Sequence, residues 1–201
     1  MHRFSKQHSF IMLDDSNAVR LDVAPVFYEV IHRHRGSSKD KHGGGVAFIY
    51  RQSIKTSVVD VGKHTEFESL AVKLTGRAST VVAVCIYRVP GAVTAAFIDD
   101  LCDLLDQLLL MNVRFVICGD FNASSDRLIH VDVADVLVRY NLKQYINVPT
   151  HDHGNTLDLL ITLDSEIDML SNVSVQTVCF SDHSLISCRV IISIIDDSHN
   201  K

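Results

Sequence analysis

From Gly43 onward the apolar residues fall in short runs separated by glycines and polar turns, and between Pro90 and Asn112 they switch to a helical period. Val46-Ala47-Phe48-Ile49-Tyr50 follows three glycines, the pattern of a buried strand entered through a tight turn. Residues 55–61, 67–74 and 80–87 are rich in Val, Ile, Leu and Thr, with Gly62 and Gly76 marking turns, so three more strands are expected. Phe97, Leu101, Leu104, Leu105 and Leu108 then recur at three- and four-residue spacing, with Asp99, Asp100, Asp103 and Asp106 between them. This predicts an amphipathic helix with Thr94 as its N-cap. Residues 113–118 predict a buried strand ending at Gly119-Asp120-Phe121-Asn122. A second helix is expected over 133–140, and strands over 142–148, 156–162 and 183–195. Upstream, 10–13 and 27–31 have weaker period and read as strand pieces. Many strands apolar enough to be covered on both faces, with few helices, predict a layered α/β or α+β sandwich. One domain is expected over 1–195, with a frayed tail at 196–201.

Composition narrows this little. The 201 residues are 47% hydrophobic and 21% charged, ordinary for a globular chain. No apolar run approaches the ~20 residues of a membrane span, and the basic start has no apolar core behind it, so neither a membrane protein nor a secreted one is expected. The five cysteines lack close pairing and are expected to be reduced and buried, which fits a nuclear or cytoplasmic protein. The net charge of −5 is uneven. Residues 1–55 hold nine Lys/Arg against five Asp/Glu, a net of +4, and the remainder is at −9. Arg33, Arg35, Lys39 and Lys41 make the densest basic stretch, a candidate contact for a phosphate backbone and equally readable as a solvated loop.

Candidate chemistry lies where apolar strands end, because loops there can be shaped without disturbing the core. Tyr87 and Arg88 close one such run, Asp120 and Asn122 another, and Asp182-His183 precedes the last. Asp120 and Asp182 can also be read as simple turn formers. Asp158 is harder to dismiss, because an ionised carboxylate inside the apolar run 157–161 is costly unless paired, and His183 is a natural partner.

The ordered series Tyr87-Arg88-Val89-Pro90, Gly119-Asp120-Phe121-Asn122, Thr156-Leu157-Asp158 and Ser181-Asp182-His183 resembles the motifs of the endonuclease/exonuclease/phosphatase superfamily. Gly43-Gly44-Gly45-Val46-Ala47, Phe67-Glu68-Ser69-Leu70 and Ile86 to Gly91 are similar to the endonuclease domain that precedes reverse transcriptase in non-LTR retrotransposons. The resemblance implies a four-layered α/β sandwich, two β-sheets flanked by helices, and Mg²⁺-dependent nicking of DNA, with Mn²⁺ as an alternative ion. It also implies roles. Asp120 orients or deprotonates the attacking water, Asn122 holds the scissile phosphate, and Tyr87 donates to a phosphate oxygen. Asp182 helps hold the metal, and His183, oriented by Asp158, stabilises the transition state. Arg88 joins Arg33, Arg35, Lys39 and Lys41 as a nucleic-acid contact, and a reverse transcriptase domain is the expected partner in a full-length element.

Two motifs of that family have no match. Its first strand ends in Asn and its second in a metal-binding Glu, whereas residues 1–13 contain no Asp, Glu or Asn. Glu29 and Glu68 lie elsewhere in the motif order and are left out of the metal site. The first strand–helix unit is therefore expected to be missing and Mg²⁺ binding weakened, at a cost of roughly a hundred- to ten-thousand-fold in rate. The alternatives are an inactive module that binds nucleic acid through the basic loop, and a phosphodiesterase or phosphatase of the same fold.

Overall fold

A computed structural model describes residues 25–34, 45–76, 79–125 and 128–191. The candidate strand at 10–13, Arg35, Lys39, Lys41, Gly43 and Gly44, and residues 192–201 lie outside the described residues.

The expected alternation of strands is present. In chain order the elements are β1 (Tyr28–His34), β2 (Gly45–Arg51), β3 (Lys55–Val59), β4 (Glu68–Thr75) and β5 (Thr80–Tyr87). Helix α1 (Ala95–Leu110) leads to β6 (Arg114–Asp120), the short hairpin β7 (Ser124–Ser125) and β8 (Leu128–Ile129), and helix α2 (Val131–Arg139). Then follow β9 (Leu142–Gln144), β10 (Asp158–Leu163), a 3₁₀ turn at Asp164–Met169, β11 (Leu170–Gln176) and β12 (Leu185–Val190). Six strands form the central sheet in the order β3-β4-β5-β6-β10-β9. Among the described residues only β5 and β6 pair in parallel, which requires a crossover, and α1 supplies it.

Helix α1 begins where the sequence places it. The Thr94 hydroxyl accepts from the Phe97 N–H at 3.1 Å, satisfying one of the free amides of the first turn. Its stripe of Phe97, Leu101, Leu104, Leu105 and Leu108 is fully buried against Val82, Val84, Ile86, Phe115 and Ile117, the residues on one face of the sheet. The opposite face, with Leu70, Val72, Ala83, Cys85, Val116 and Leu160, is covered by the antiparallel pairs β1–β2 and β11–β12. The α/β sandwich is thus a helical layer, the central sheet and a hairpin layer among the described residues.

The differences from expectation are local. The strand expected over 142–148 stops at Gln144, whose side-chain amide bonds both the N–H and the carbonyl of Ile146 and substitutes for a strand partner. The segment 164–176, without clear period, forms the 3₁₀ turn and the half-exposed β11. All five cysteines are free, but the expectation of burial is corrected: Cys85 alone of the five is buried, Cys102, Cys118 and Cys188 are partly so, and Cys179, in the loop between β11 and β12, is exposed.

Candidate active site

The register of the central sheet puts four chemistry-bearing side chains in a line. Glu68 is paired with Tyr87, Tyr87 with Asp120, and Asp120 with Asp158 across four neighbouring strands. Directly paired residues project from the same face of a sheet. Here that face is the one under the hairpins, since Leu70, Cys85, Cys118 and Leu160, two positions along each strand, all belong to its core. The line therefore runs along the rim of the cleft between sheet and hairpins.

Gly119 makes this approach possible. Its φ of 141° lies in a region open to glycine, and a Cβ there would overlap the backbone carbonyl of Ile86 on β5. With no side chain, β6 can run close to β5 and deliver Asp120 beside Tyr87. The next turn is built from Asp120 itself. Its Oδ1 accepts from the Asn122 N–H at 3.0 Å, closing an Asx-type turn, and Asn122 takes the positive φ of 45° that Asn tolerates. The Asn122 amide then donates to Asp120 Oδ2 and to the Arg88 carbonyl, both at 2.7 Å. Both amide hydrogens are committed, so in this arrangement Asn122 orients Asp120.

Asp158 and His183 form the expected pair: Nδ1 of the ring lies 2.8 Å from Asp158 Oδ2, which leaves Nε2 turned toward Asp120 Oδ2 at 4.0 Å. The carboxylate hydrogen bond outweighs burial and pushes the His183 pKa up to about 9. Asp120, only 4% exposed, is pushed up to about 7, first by burial and then by the charge of Asp158. An imidazolium donor and a carboxyl poised near neutrality thus share one edge of the cleft, as proton transfer requires.

The loop 148–155 holds these groups in place. Thr150, fully buried, accepts on its hydroxyl from the N–H groups of both Leu157 and Asp158 at 3.0 Å. Its carbonyl accepts from the Ser184 N–H, and Asp152 N–H donates to the Asp182 carbonyl. The same loop brings His151 edge-on to His183, with ring centroids 4.9 Å apart, and places its Nε2 3.4 Å from Asp182 Oδ2.

Arg88 corrects the expectation of a phosphate contact. It is 4% exposed, stacks over Phe97 at 4.6 Å, and donates to the carbonyls of Phe121, Asn122, Gly91 and Ala92, so it ties the β5 and β6 ends to α1. Arg33 is exposed and donates to the Ser69 carbonyl at 3.1 Å, on the strand that carries Glu68. Glu29 accepts from the Tyr50 hydroxyl on the hairpin surface, whereas Glu68 has a buried Oε2 at the end of the line. Thr150 and His151 are the site residues that sequence reasoning missed, and Glu68, left out of the metal site on motif order, stands in the same line as Tyr87, Asp120 and Asp158.

For a cation, the exposed carboxylate is Asp182, whose side chain is 69% exposed and carries a pKa lowered by its own backbone amide and by both histidines. Mg²⁺ keeps most of its waters and takes one or two carboxylates, so a single solvent-facing aspartate beside a cleft fits it.

Fold and site together define an α/β sandwich in which carboxylates and a histidine meet at one rim of the central sheet. The model of the Endonuclease/Exonuclease/phosphatase family matches residues 11–183, and this chain belongs to that family. Its fold is similar to that of the endonuclease domain of TRAS1, a telomere-specific non-LTR retrotransposon, with a TM-score of 0.65, 15% identity, and 80% of this chain and 78% of that one covered. It is also similar to the AP endonuclease LMAP from Leishmania major, with a TM-score of 0.66, 12% identity, and 83% and 71% covered. A third similar structure is the 3′ phosphatase NExo from Neisseria bound to product DNA hairpin, with a TM-score of 0.51, 15% identity, and 82% and 80% covered. At these identities the likeness is one of fold. No curated protein sequence matches the chain.

Proposed function

We propose that the chain is a phosphodiester hydrolase that nicks DNA, of the type that opens target sites for non-LTR retrotransposons beside a reverse transcriptase. The observation that carries this reading is the convergence of Asp120, Asp158 and His183 from the end of β6, the start of β10 and the turn before β12, with His183 Nδ1 2.8 Å from Asp158 and its Nε2 4.0 Å from Asp120. Water attacks the phosphorus while Asp120, held by Asn122, takes its proton, and the P–O bond to the leaving sugar oxygen breaks, that oxygen taking a proton from solvent. His183, charged through Asp158, gives a hydrogen bond to the non-bridging oxygen as negative charge builds there. Tyr87, next to Asp120 in the register, is the second donor along the same rim.

Mg²⁺ or Mn²⁺, held by Asp182, would supply Lewis-acid neutralisation of the developing charge. With one exposed aspartate as its protein ligand, binding is expected to be weak and to lean on the phosphate oxygens of the substrate. Glu68 is a second carboxylate on the same face.

The test is plasmid nicking with Mg²⁺ beside Asp120→Ala and His183→Ala. Nicking abolished by either substitution supports the reading. Salt-sensitive DNA binding without nicking in the unsubstituted chain would replace it with a binding module. Release of phosphate from 3′ ends without internal cleavage would place the chain with phosphatases of the same fold.

A further inference from the structure

The mouth of the cleft carries more imidazole than hydrolysis uses. His151, Asp182 and His183 each offer a ligand atom, and these atoms lie within 4.8 Å of one another. His153 stands beside them, its ring centroid 4.8 Å from that of His151. We infer that His151, Asp182 and His183 form a site for a borderline transition-metal ion, Zn²⁺ foremost, distinct in chemistry from the oxygen-seeking ion that assists hydrolysis.

The donor set decides the class of ion. Two imidazoles and one carboxylate with a remaining open position are the ligands of mononuclear zinc centres, and Mg²⁺ gains little from nitrogen. The rings are already held for the purpose. The Nδ1 of His183 is bonded to Asp158, the carboxylate support that metal-binding histidines commonly have, and its Nε2, 4.0 Å from Asp120, is the nitrogen left for a metal and gives up its proton when one binds. His151 points Nε2 at the Asp182 carboxylate, where a cation would replace the shared proton. Its Nδ1 must then take up a proton and release the N–H of His153, an exposed hydrogen bond that water can replace. Ligand atoms around tetrahedral zinc stand about 3.3 Å apart, so the cluster must draw in. Asp182 can move, being mostly exposed, and the backbone is fixed by the bridge between His151 and His183.

The consequence is inhibition. A zinc ion on His183 Nε2 removes the hydrogen bond that this residue gives to phosphate, so Zn²⁺ silences the site in the presence of Mg²⁺. Occupancy stands independently of the nuclease reading, and inhibition rests on it.

The test titrates Zn²⁺ into the full chain against a chromophoric chelator, with Co²⁺ as a spectroscopic probe, for the unsubstituted protein and for His151→Ala and His151→Gln. Circular dichroism checks that the variants fold. The expected result is one tight Zn²⁺ per chain that weakens at least about tenfold in both variants, with a Co²⁺ absorption that disappears with it. Equal affinity in folded variants and unsubstituted chain would overturn the proposal, because the metal would then sit on other histidines. Where nicking is observed, zinc inhibition, scored against each variant's own Mg²⁺ rate, is expected to need about tenfold more Zn²⁺ in the variants. A chain that binds Zn²⁺ through His151 but never nicks DNA keeps this site and loses the nuclease reading.

Discussion

In the proposed reaction Asp120 and His183 divide the proton chemistry between them, and Asp158 sets both. Its hydrogen bond holds the proton on His183, while its charge, added to burial, holds a proton on Asp120. In a nuclease using both, the rate rises as Asp120 ionises near pH 7 and falls as His183 loses its proton near pH 9. The two apparent constants belong to the coupled pair. Asp158→Asn removes both effects, so both limbs of the pH–rate profile should move to lower pH. A nicking profile whose alkaline limb stays in place would show that Asp158 does not hold that proton. The two groups carry the same stability sign, over different windows of pH. His183, raised above its ordinary value of 6.5, stabilises the fold below that pH, and the contribution is lost as pH rises through about 9. Asp120 is also raised, so its preference for the protonated form favours folding in acid, and that contribution is lost as pH climbs toward and through about 7. The glycine beside it gives a separate prediction. Gly119→Ala forces a Cβ into the Ile86 carbonyl at a φ that alanine avoids. It should destabilise the protein by more than about 2 kcal/mol, read from the urea midpoint, and disturb Asp120 even where the fold survives.

At the scale of elements, the strands and α1 were legible because burial imposes a period on the chain, whereas the strand order and register are set by contacts between distant segments. The reach of the loop 148–155 was not legible. Thr150 is an isolated threonine in a polar stretch, and nothing local reveals that its hydroxyl receives two backbone amides while its carbonyl receives a third from beyond β11. Such contacts depend on where β10 and the 181–184 turn end in space, which no window of sequence reports. The burial of Arg88 was hidden for a related reason, since its place beside Tyr87 at a strand end does not show that α1 and the Asn122 turn enclose it. The loop is directly testable. Thr150→Val keeps the shape and strands two amides, each worth about 1–3 kcal/mol when left unpaired. Stability should fall by a few kcal/mol, and nicking should fall further than stability explains, because Asp158 N–H is one of the two. Thr150→Ser keeps the oxygen and should recover most of both.

The whole molecule is acidic, yet the function proposed for it is to approach a polyanion. The body from residue 56 to the end carries −9, so attraction to DNA must come from the N-terminal quarter and from any cation at the cleft. Each phosphate neutralised by a basic side chain contributes about 0.9 to the slope of log affinity against log salt. If Arg33, Arg35, Lys39 and Lys41 all contact phosphates, replacing the four with alanine should reduce that slope by about 3.6. Binding should weaken about equally across sequences, because such contacts carry no base information. The turnover rate on saturating DNA should hold, since the site's proton-transfer groups lie on other elements. Arg88 provides the contrast. Its guanidinium is occupied by four carbonyls, so Arg88→Ala should lower the unfolding midpoint and leave the salt slope of the remaining folded protein unchanged. A slope that drops with Arg88 and not with the four basic residues would mean that DNA enters over the β5–α1 corner, and the polarity of the cleft would have to be reversed.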